Sequence, residues 1–261
     1  MRGIALSGWG MRWNLNMFIF VEGHRGYCAV YPENTLISYE AAIDLGVDGF
    51  EFDIWLSKDK VPVLMHDGVA YRTCCVPKHL RDMTLEEIKA LDAGFYGKFG
   101  EKYIGQGIRV PTLQELCELV HRKRPDMALG VEIKEYTEET VDIAVAILKQ
   151  YHLFDRACFY AFDAPTIKYL KVQYNARTMG YPDFQMKRFD YEEGYRYYDE
   201  IGLSMAIARS EVAPIFFGKG MPVHLYCADT EEDVRFCLSH PECTLITAND
   251  PVPLLKLLGR Q

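Results

Sequence analysis

Short apolar runs of strand length alternate with longer stretches of helical periodicity along almost the whole chain, and this alternation limits the possible folds more than any other feature. Runs near 18–22, 49–55, 127–133, 156–161, 176–180, 203–207, 222–227 and 243–247 read as eight strands. Between them, 35–45, 112–122, 138–151, 164–174 and 230–238 read as helices, the last opened by Asp229 and Thr230 as candidate caps. Strands that alternate with helices build parallel sheets, since each parallel pair needs a crossover. Eight β/α units in a chain of 261 residues fit a closed TIM-type (β/α)8 barrel. No linker, low-complexity tract or internal repeat divides it, so residues 17–261 are expected to form one barrel domain.

Composition supports a single core. At 49% hydrophobic residues, a chain of this length can bury roughly three quarters of the surface its unfolded form exposes. The formal charge of −8 argues against nucleic-acid binding, which wants a basic face. A small anionic substrate stays compatible with it, because a local cation outweighs distant surface charge. The eight cysteines have neither paired C-x-x-C spacing nor the density of a disulfide scaffold, and reduced thiols in a cytoplasmic protein are the expectation. Residues 1–16 lack the apolar core and small-residue cleavage site of a signal peptide and read as an N-terminal extension that need not be ordered, ahead of a strand that opens near Met17. Nothing approaches the ~18 apolar residues of a membrane span, so stable membrane insertion is not expected.

Function is carried by a few short strings. Gly23-His24-Arg25-Gly26, Glu51-Phe52-Asp53 and His66-Asp67 supply two histidines and two carboxylates of the kind an acid–base phosphodiesterase uses. Side chains alternate along a strand, so Glu51 and Asp53 point to one face and can grip one cation together, while Phe52 faces the packing side. Hard carboxylate oxygens without intervening Cys or His suit Mg²⁺ or Ca²⁺ better than Zn²⁺. An ordinary solvated strand face would account for either acid alone. A second charged strand, Val131-Glu132-Ile133-Lys134, again puts two charges on one face, and there a simple cross-face salt bridge is the plain alternative. What favours function is position: each charged pair closes a β-like apolar run, and a barrel does its chemistry at the C-terminal ends of its strands.

The order of these blocks resembles the glycerophosphodiester phosphodiesterase family. His-Arg-Gly is followed by Pro32-Glu33-Asn34-Thr35, Glu51-Phe52-Asp53 and Pro62-Val63-Leu64-Met65-His66-Asp67. Further blocks are Leu80 to Ile88 with Leu91-Asp92-Ala93-Gly94, Val110 to Glu115, and Glu132-Ile133-Lys134. The likeness is dense from about residue 18 to 135; after that, only Leu225–Ala228 and Ile246–Pro251 resemble the family's closing strands. It implies a metal site of Glu51, Asp53 and Glu132, an acid–base pair His24 and His66, and phosphate-side cations Arg25 and Lys134. It also implies hydrolysis of glycerophosphodiesters to glycerol 3-phosphate and an alcohol, with Mg²⁺ or Ca²⁺ and through a cyclic phosphate. Where the family has a Trp-Thr-Val-Asn-like strand, this chain has Tyr226-Cys227-Ala228-Asp229, so Tyr226 would cover the substrate with less area and an added hydroxyl. Ala161-Phe162 stands where Ser-Phe is common. Both changes bear on leaving-alcohol specificity.

The remaining candidates have plainer explanations. His79, His121, His152 and His240 lack a partner pattern and read as surface histidines; Cys74-Cys75 cannot easily meet disulfide geometry. The Tyr-rich run 190–199 reads as an amphipathic helix, and the segments 67–81 and 94–109 as long loops able to fold over the mouth. Two other functions fit the same residues: a phospholipase D-like or phospholipase C-like lipid phosphodiesterase, and a non-catalytic barrel that binds a glycerophosphodiester.

Overall fold

The computed structural model describes residues 19–95 and 97–260; the expected N-terminal extension, 1–16, lies outside them. In chain order the elements are β1 (Phe20–Gly23), α1 (Leu36–Leu45), β2 (Gly49–Leu56), β3 (Pro62–Leu64), α2 (Tyr71–Cys74), α3 (Leu85–Lys89) and α4 (Leu113–Lys123). They continue with β4 (Ala128–Ile133), α5 (Glu138–Gln150), β5 (Ala157–Tyr160), α6 (Ala164–Tyr174), β6 (Arg177–Gly180) and β7 (Glu200–Ser204). The last are α7 (Met205–Ala208), α8 (Ala213–Phe217), β8 (Val223–Tyr226), α9 (Glu231–Leu238), β9 (Cys243–Ala248) and α10 (Val252–Leu257). Eight parallel strands run β1-β9-β8-β7-β6-β5-β4-β2, and β1 pairs with β2 to close the barrel. The eight-strand expectation is met. The ninth strand, β3, is a short antiparallel partner of β2 that the sequence offers only as the apolar run before His66.

Alternation along the strands divides the barrel wall into two faces. Phe50, Phe52 and Ile54 on β2, and Leu129, Val131 and Ile133 on β4, pack outward with Tyr39, Leu116 and Val120 of the surrounding helices. The intervening Glu51, Asp53 and Glu132 are left to the interior, also buried. Helix starts are fixed by side chains: Thr84 with Glu87 and Thr112 with Glu115 form reciprocal capping boxes, and Thr230, not Asp229, accepts from Asp233 N at the start of α9. At Gly26, φ is +84° and a Cβ would fall within 2.8 Å of Ser38 backbone and side-chain atoms, so the turn after β1 admits only glycine.

Two expected elements need correction. The sixth barrel strand, β7, is Glu200–Ser204 rather than 203–207, because the Ser204 hydroxyl accepts from Ile207 N and turns the chain into α7. Its first residue, Glu200, looks like a surface residue in sequence yet is buried against Arg177. The 190–199 run forms consecutive turns, not a helix: Gly194 takes a left-handed φ of +56° in its middle. The segments flanking β3 are not free lids. Val63, Met65, Leu80, Ile88, Leu91, Tyr103 and Val110 form a second hydrophobic cluster, and Tyr103 Oη donates to Val30 O, tying it to the loop after β1.

Candidate active site

The residues read as a site gather on one end of the barrel: His24, Arg25, His66 and Lys134 lie just beyond the ends of β1, β3 and β4, Glu132 and Tyr226 close to the ends of β4 and β8, and Glu51 and Asp53 within β2. His24 follows β1, and its backbone N–H donates to Ala248 O at the end of β9, 2.9 Å away. Its Nδ1 lies 2.7 Å from Asn249 Oδ1. The Asn249 side chain donates through Nδ2 to Asp229 Oδ2 at 2.6 Å, and Asn249 N donates to the other Asp229 oxygen. A carboxylate only accepts, so Asp229 fixes the amide with Oδ1 toward His24, and His24 must carry its proton on Nδ1. Nε2 then turns its lone pair to the site, 3.8 Å from Glu51 Oε2. Burial, with Arg25 beside it, pushes the imidazole down to about 4, so it is neutral near pH 7.

The carboxylates follow from strand register. Asp53 on β2 pairs directly with Glu132 on β4, and Glu51 lies two residues back on the same face. One oxygen from each of Glu51, Asp53 and Glu132 falls within 4.8 Å of the others, the one such acidic or thiol–imidazole grouping among the described residues. Asn34 Nδ2 donates to Asp53 Oδ2 at 2.8 Å and is itself held by Tyr39 Oη. Lys134 Nζ sits 2.7 Å from Glu132 Oε1 and 3.2 Å from Asp53 Oδ1; Arg25 Nε lies 3.4 Å from Asp53 Oδ2. Burial raises all three acids, but Lys134 and Arg25 override it at Asp53 and hold that carboxyl far below its usual range. At Glu51, burial and the charges of Asp53 and Glu132 combine to push the pKa well up; Glu132 rises to about 6, mainly through burial. Glu51 Oε1 is buried with no hydrogen-bond partner, and buried Asp53 Oδ1 makes no hydrogen bond beyond its ion pair with Lys134. Under-bonded acceptors in a cluster of like charge are what a hard divalent cation would satisfy, so the residues fit such an ion.

His66 stands just past β3, where Met65 N donates to Asp53 O and Trp55 Nε1 donates to His66 O. Its Nδ1 is 2.7 Å from Asp67 Oδ1, which again puts the proton on Nδ1 and the free lone pair on Nε2. Tyr226, at the end of β8, meets Tyr181 edge-on at 5.8 Å, and Tyr181 stacks on Phe162 at 3.6 Å. These rings give the mouth an aromatic wall at the ends of β5, β6 and β8, beside the Glu132 edge of the carboxylate cluster. The discounted histidines stay outside: His121 and His152 are exposed, while His79 packs on Trp55 and His240 on Phe217 and Phe236, more engaged than surface residues.

Several residues of the site carry no role in the sequence reading. Glu33 and Asn34 appear there only as part of a block; Asp229 and Asn249, which orient His24, could be found only by knowing that β8 and β9 close against β1. Glu33 is buried and bridges Arg25 and Arg72.

Comparison with known proteins bears on the family and the fold. The model of the glycerophosphoryl diester phosphodiesterase family matches residues 24–247. A glycerophosphodiester phosphodiesterase of Caldanaerobacter subterraneus subsp. tengcongensis is 37% identical over 161 residues, 59% of this chain and 63% of that protein. One from Bacillus altitudinis is 37% identical over 116 residues, 44% of each. The aligned part thus spans less than two thirds of these relatives. Among solved structures, a putative glycerophosphoryl diester phosphodiesterase from Silicibacter pomeroyi superposes with a TM-score of 0.79 at 22% identity, over 93% of this chain and 94% of that one. An Oleispira antarctica phosphodiesterase in complex with the product sn-glycerol-3-phosphate superposes with a TM-score of 0.78 at 24% identity, over 92% and 96%. At such identities the structures speak for the barrel alone, but the family match extends over most of the sequence, and with it the chain belongs to the glycerophosphoryl diester phosphodiesterase family.

Proposed function

We propose that this protein hydrolyses water-soluble glycerophosphodiesters to glycerol 3-phosphate and an alcohol, using one divalent cation and the histidines His24 and His66. The observation that carries the reading is the pairing, at one barrel mouth, of a buried carboxylate cluster with under-bonded oxygens and two imidazoles whose Nε2 lone pairs are free. Glu51, Asp53 and Glu132 would hold the cation, Mg²⁺ or Ca²⁺ by the hardness of the donors. When bound, it supplies positive charge to phosphate oxygens as negative charge builds in the transition state. Arg25 and Lys134 add fixed positive charge beside it, and Tyr226 with Tyr181 offers an apolar cover for the substrate.

The two imidazoles differ in what holds Nδ1, and that difference supports distinct first roles for them. His24 leans on a neutral amide beside Arg25 and resists protonation, so it begins as the base and takes the proton of the glycerol 2-hydroxyl at Nε2. Burial pushes the His66 imidazole down as well, with Lys134 and Arg25 adding to it, but the Asp53 and Asp67 carboxylates oppose the fall. Asp67 also gives the protonated ring a counter-ion at Nδ1, which His24 lacks, so His66 is the one proposed to begin as the acid. The 2-oxygen bonds to phosphorus, the phosphorus–head-group oxygen bond breaks, and His66 protonates the departing alkoxide. In the second step neutral His66 takes a proton from water, the water oxygen opens the cyclic phosphate, and His24 returns its proton to the 2-oxygen. No helix among the described residues is long and apolar enough to cross a membrane, and a cytoplasmic location is part of the proposal.

A panel of glycerophosphocholine, glycerophosphoethanolamine and lysophosphatidylcholine, with glycerol 3-phosphate read by a coupled assay, tests the substrate class. Turnover of the two soluble diesters well above that of the lipid is expected; preference for the lipid would overturn it.

A further inference from the structure

Arg72, on the short helix α2, joins the two arms of the site. Its Nε donates to Asp67 Oδ2 at 2.6 Å, and the opposite oxygen of that carboxylate meets His66 Nδ1 at 2.7 Å. Its two terminal nitrogens form a fork on Glu33, at 2.9 Å to Oε2 and 2.7 Å to Oε1. Glu33 Oε1 also accepts from Arg25 at 2.9 Å. An unbroken chain therefore runs His66–Asp67–Arg72–Glu33–Arg25, from one imidazole to a phosphate-side cation. Burial would raise the Glu33 carboxyl, but the hydrogen bonds from Arg72 and the charge of Arg25 keep it ionised. The loop carrying Arg72 is fixed by its own backbone bonds, Leu80 N to Gly68 O and Cys75 N to Tyr71 O, and by the buried Ala70, Thr73 and Cys74.

From this chain we infer that Arg72 is a positioning residue: by clamping Asp67 it keeps the His66 proton on Nδ1, and by sharing Glu33 it registers His66 against Arg25. The inference rests on the reading of His66 as an acid–base group. Arg72 and Asp67 are each more than a third exposed, so as a plain ion pair they would add little to stability. Their effect falls instead on geometry. Asp67 belongs to a half-exposed loop, and only the planar guanidinium, with three donors aimed at two carboxylates, holds its second oxygen toward His66. Free imidazole favours the Nε2–H form, so a released His66 drifts to the tautomer that cannot act as base in the second step.

The test uses the full chain with Mg²⁺ and glycerophosphocholine, together with ¹⁵N-imidazole NMR of the His66 tautomer, its signal assigned by loss in His66→Ala. Arg72→Gln should lower kcat about 10- to 100-fold, the scale of a misplaced catalytic group, with KM within about threefold. His66 should move from Nδ1–H toward Nε2–H. Asp67→Asn should do the same, and Arg72→Gln/Asp67→Asn should be no slower than the slower single variant, since both act through one contact. Arg72→Lys keeps the charge but not the fork and should also lose kcat, while millimolar guanidinium should restore about tenfold to Arg72→Gly. These two variants decide the matter if Arg72→Gln fails to fold. Near-native kcat with His66 still Nδ1–H, or losses in Arg72→Gln and Asp67→Asn that multiply, would overturn the inference. The tautomer readout stands even where wild-type protein turns over no glycerophosphodiester, which separates failure of this inference from failure of the proposed activity.

Discussion

Glu22 should make the barrel less stable as pH rises through neutrality, and replacing it by Gln should remove that loss. Glu22 points inward from β1 and is 2% exposed. Tyr160 Oη donates to one of its oxygens at 3.1 Å and Thr247 Oγ1 to the other at 2.6 Å, while His224 Nε2 is hydrogen-bonded to Thr247 Oγ1 and lies 3.6 Å from Glu22. Space for it comes from Gly130, where a Cβ would stand 2.5 Å from Glu22 Oε1. Glu200 and Arg177 face it with opposite charge. Burial dominates this balance and raises the carboxyl from 4.5 to about 7. Burial, with Arg177 nearby, pushes His224 down to about 3, so it stays neutral and is no counter-ion. A carboxyl raised by folding binds its proton more tightly in the native state, so its contribution is complete below about pH 4.5 and is lost as pH rises through 7. At roughly 1.4 kcal/mol per pKa unit, the loss is about 3 kcal/mol. Glu22→Gln keeps the shape but forces one neighbouring hydroxyl to reverse, a pH-independent cost of about 1 kcal/mol. Urea unfolding at intervals from pH 5 to 8 should therefore show the variant gaining about 3 kcal/mol on the wild type across the range. Glu51 and Glu132 titrate alike in both proteins and cancel. A difference that does not change with pH would refute the reasoning and mean that Glu22 is ionised throughout.

Other expected outcomes bear on the site itself. Glu51→Gln, Asp53→Asn and Glu132→Gln should each lose most activity and weaken Mg²⁺ binding measured by calorimetry; a variant that binds Mg²⁺ as the wild type does would remove that residue from the ligand set. His24→Ala and His66→Ala should each lower kcat about 10²- to 10⁴-fold with the circular dichroism spectrum unchanged, while His121→Ala and His152→Ala stay near wild type; near-native turnover in either of the first pair would refute its role. A substrate whose glycerol 2-hydroxyl is replaced by hydrogen should bind comparably but turn over far more slowly, because the internal nucleophile and its high effective concentration are gone. Equal turnover of that analogue would mean direct attack by water or by a histidine.

The barrel was legible because its strands and helices differ in period and length, and the site because its charged groups close apolar runs. Where inner and outer faces separate cleanly, as in Phe50-Glu51-Phe52-Asp53, sequence and structure agree residue by residue. The errors arose where a local signal was overridden. Glu200 is polar yet buried, since Arg177 from β6 meets it, so the apolar pattern places the strand three residues late. Gly194 sits inside a pattern of tyrosines that otherwise suits a helix, and its left-handed backbone breaks it. The groups that orient the histidines were beyond reach for a different reason. Asn249 and Asp229 meet His24 only through ring closure, 225 residues apart in the case of His24 and Asn249, and Arg72 meets Glu33 across 39 residues. Such partners have no local period or spacing to betray them.

The most direct test of the account is metal removal and return on the wild-type protein. After treatment with excess chelator and desalting, glycerol 3-phosphate release from glycerophosphocholine should fall to near background, and added Mg²⁺ or Ca²⁺ should restore it while leaving Glu51→Gln, Asp53→Asn and Glu132→Gln largely inactive. Undiminished release in excess chelator would contradict the proposal that the three carboxylates serve catalysis by holding a cation.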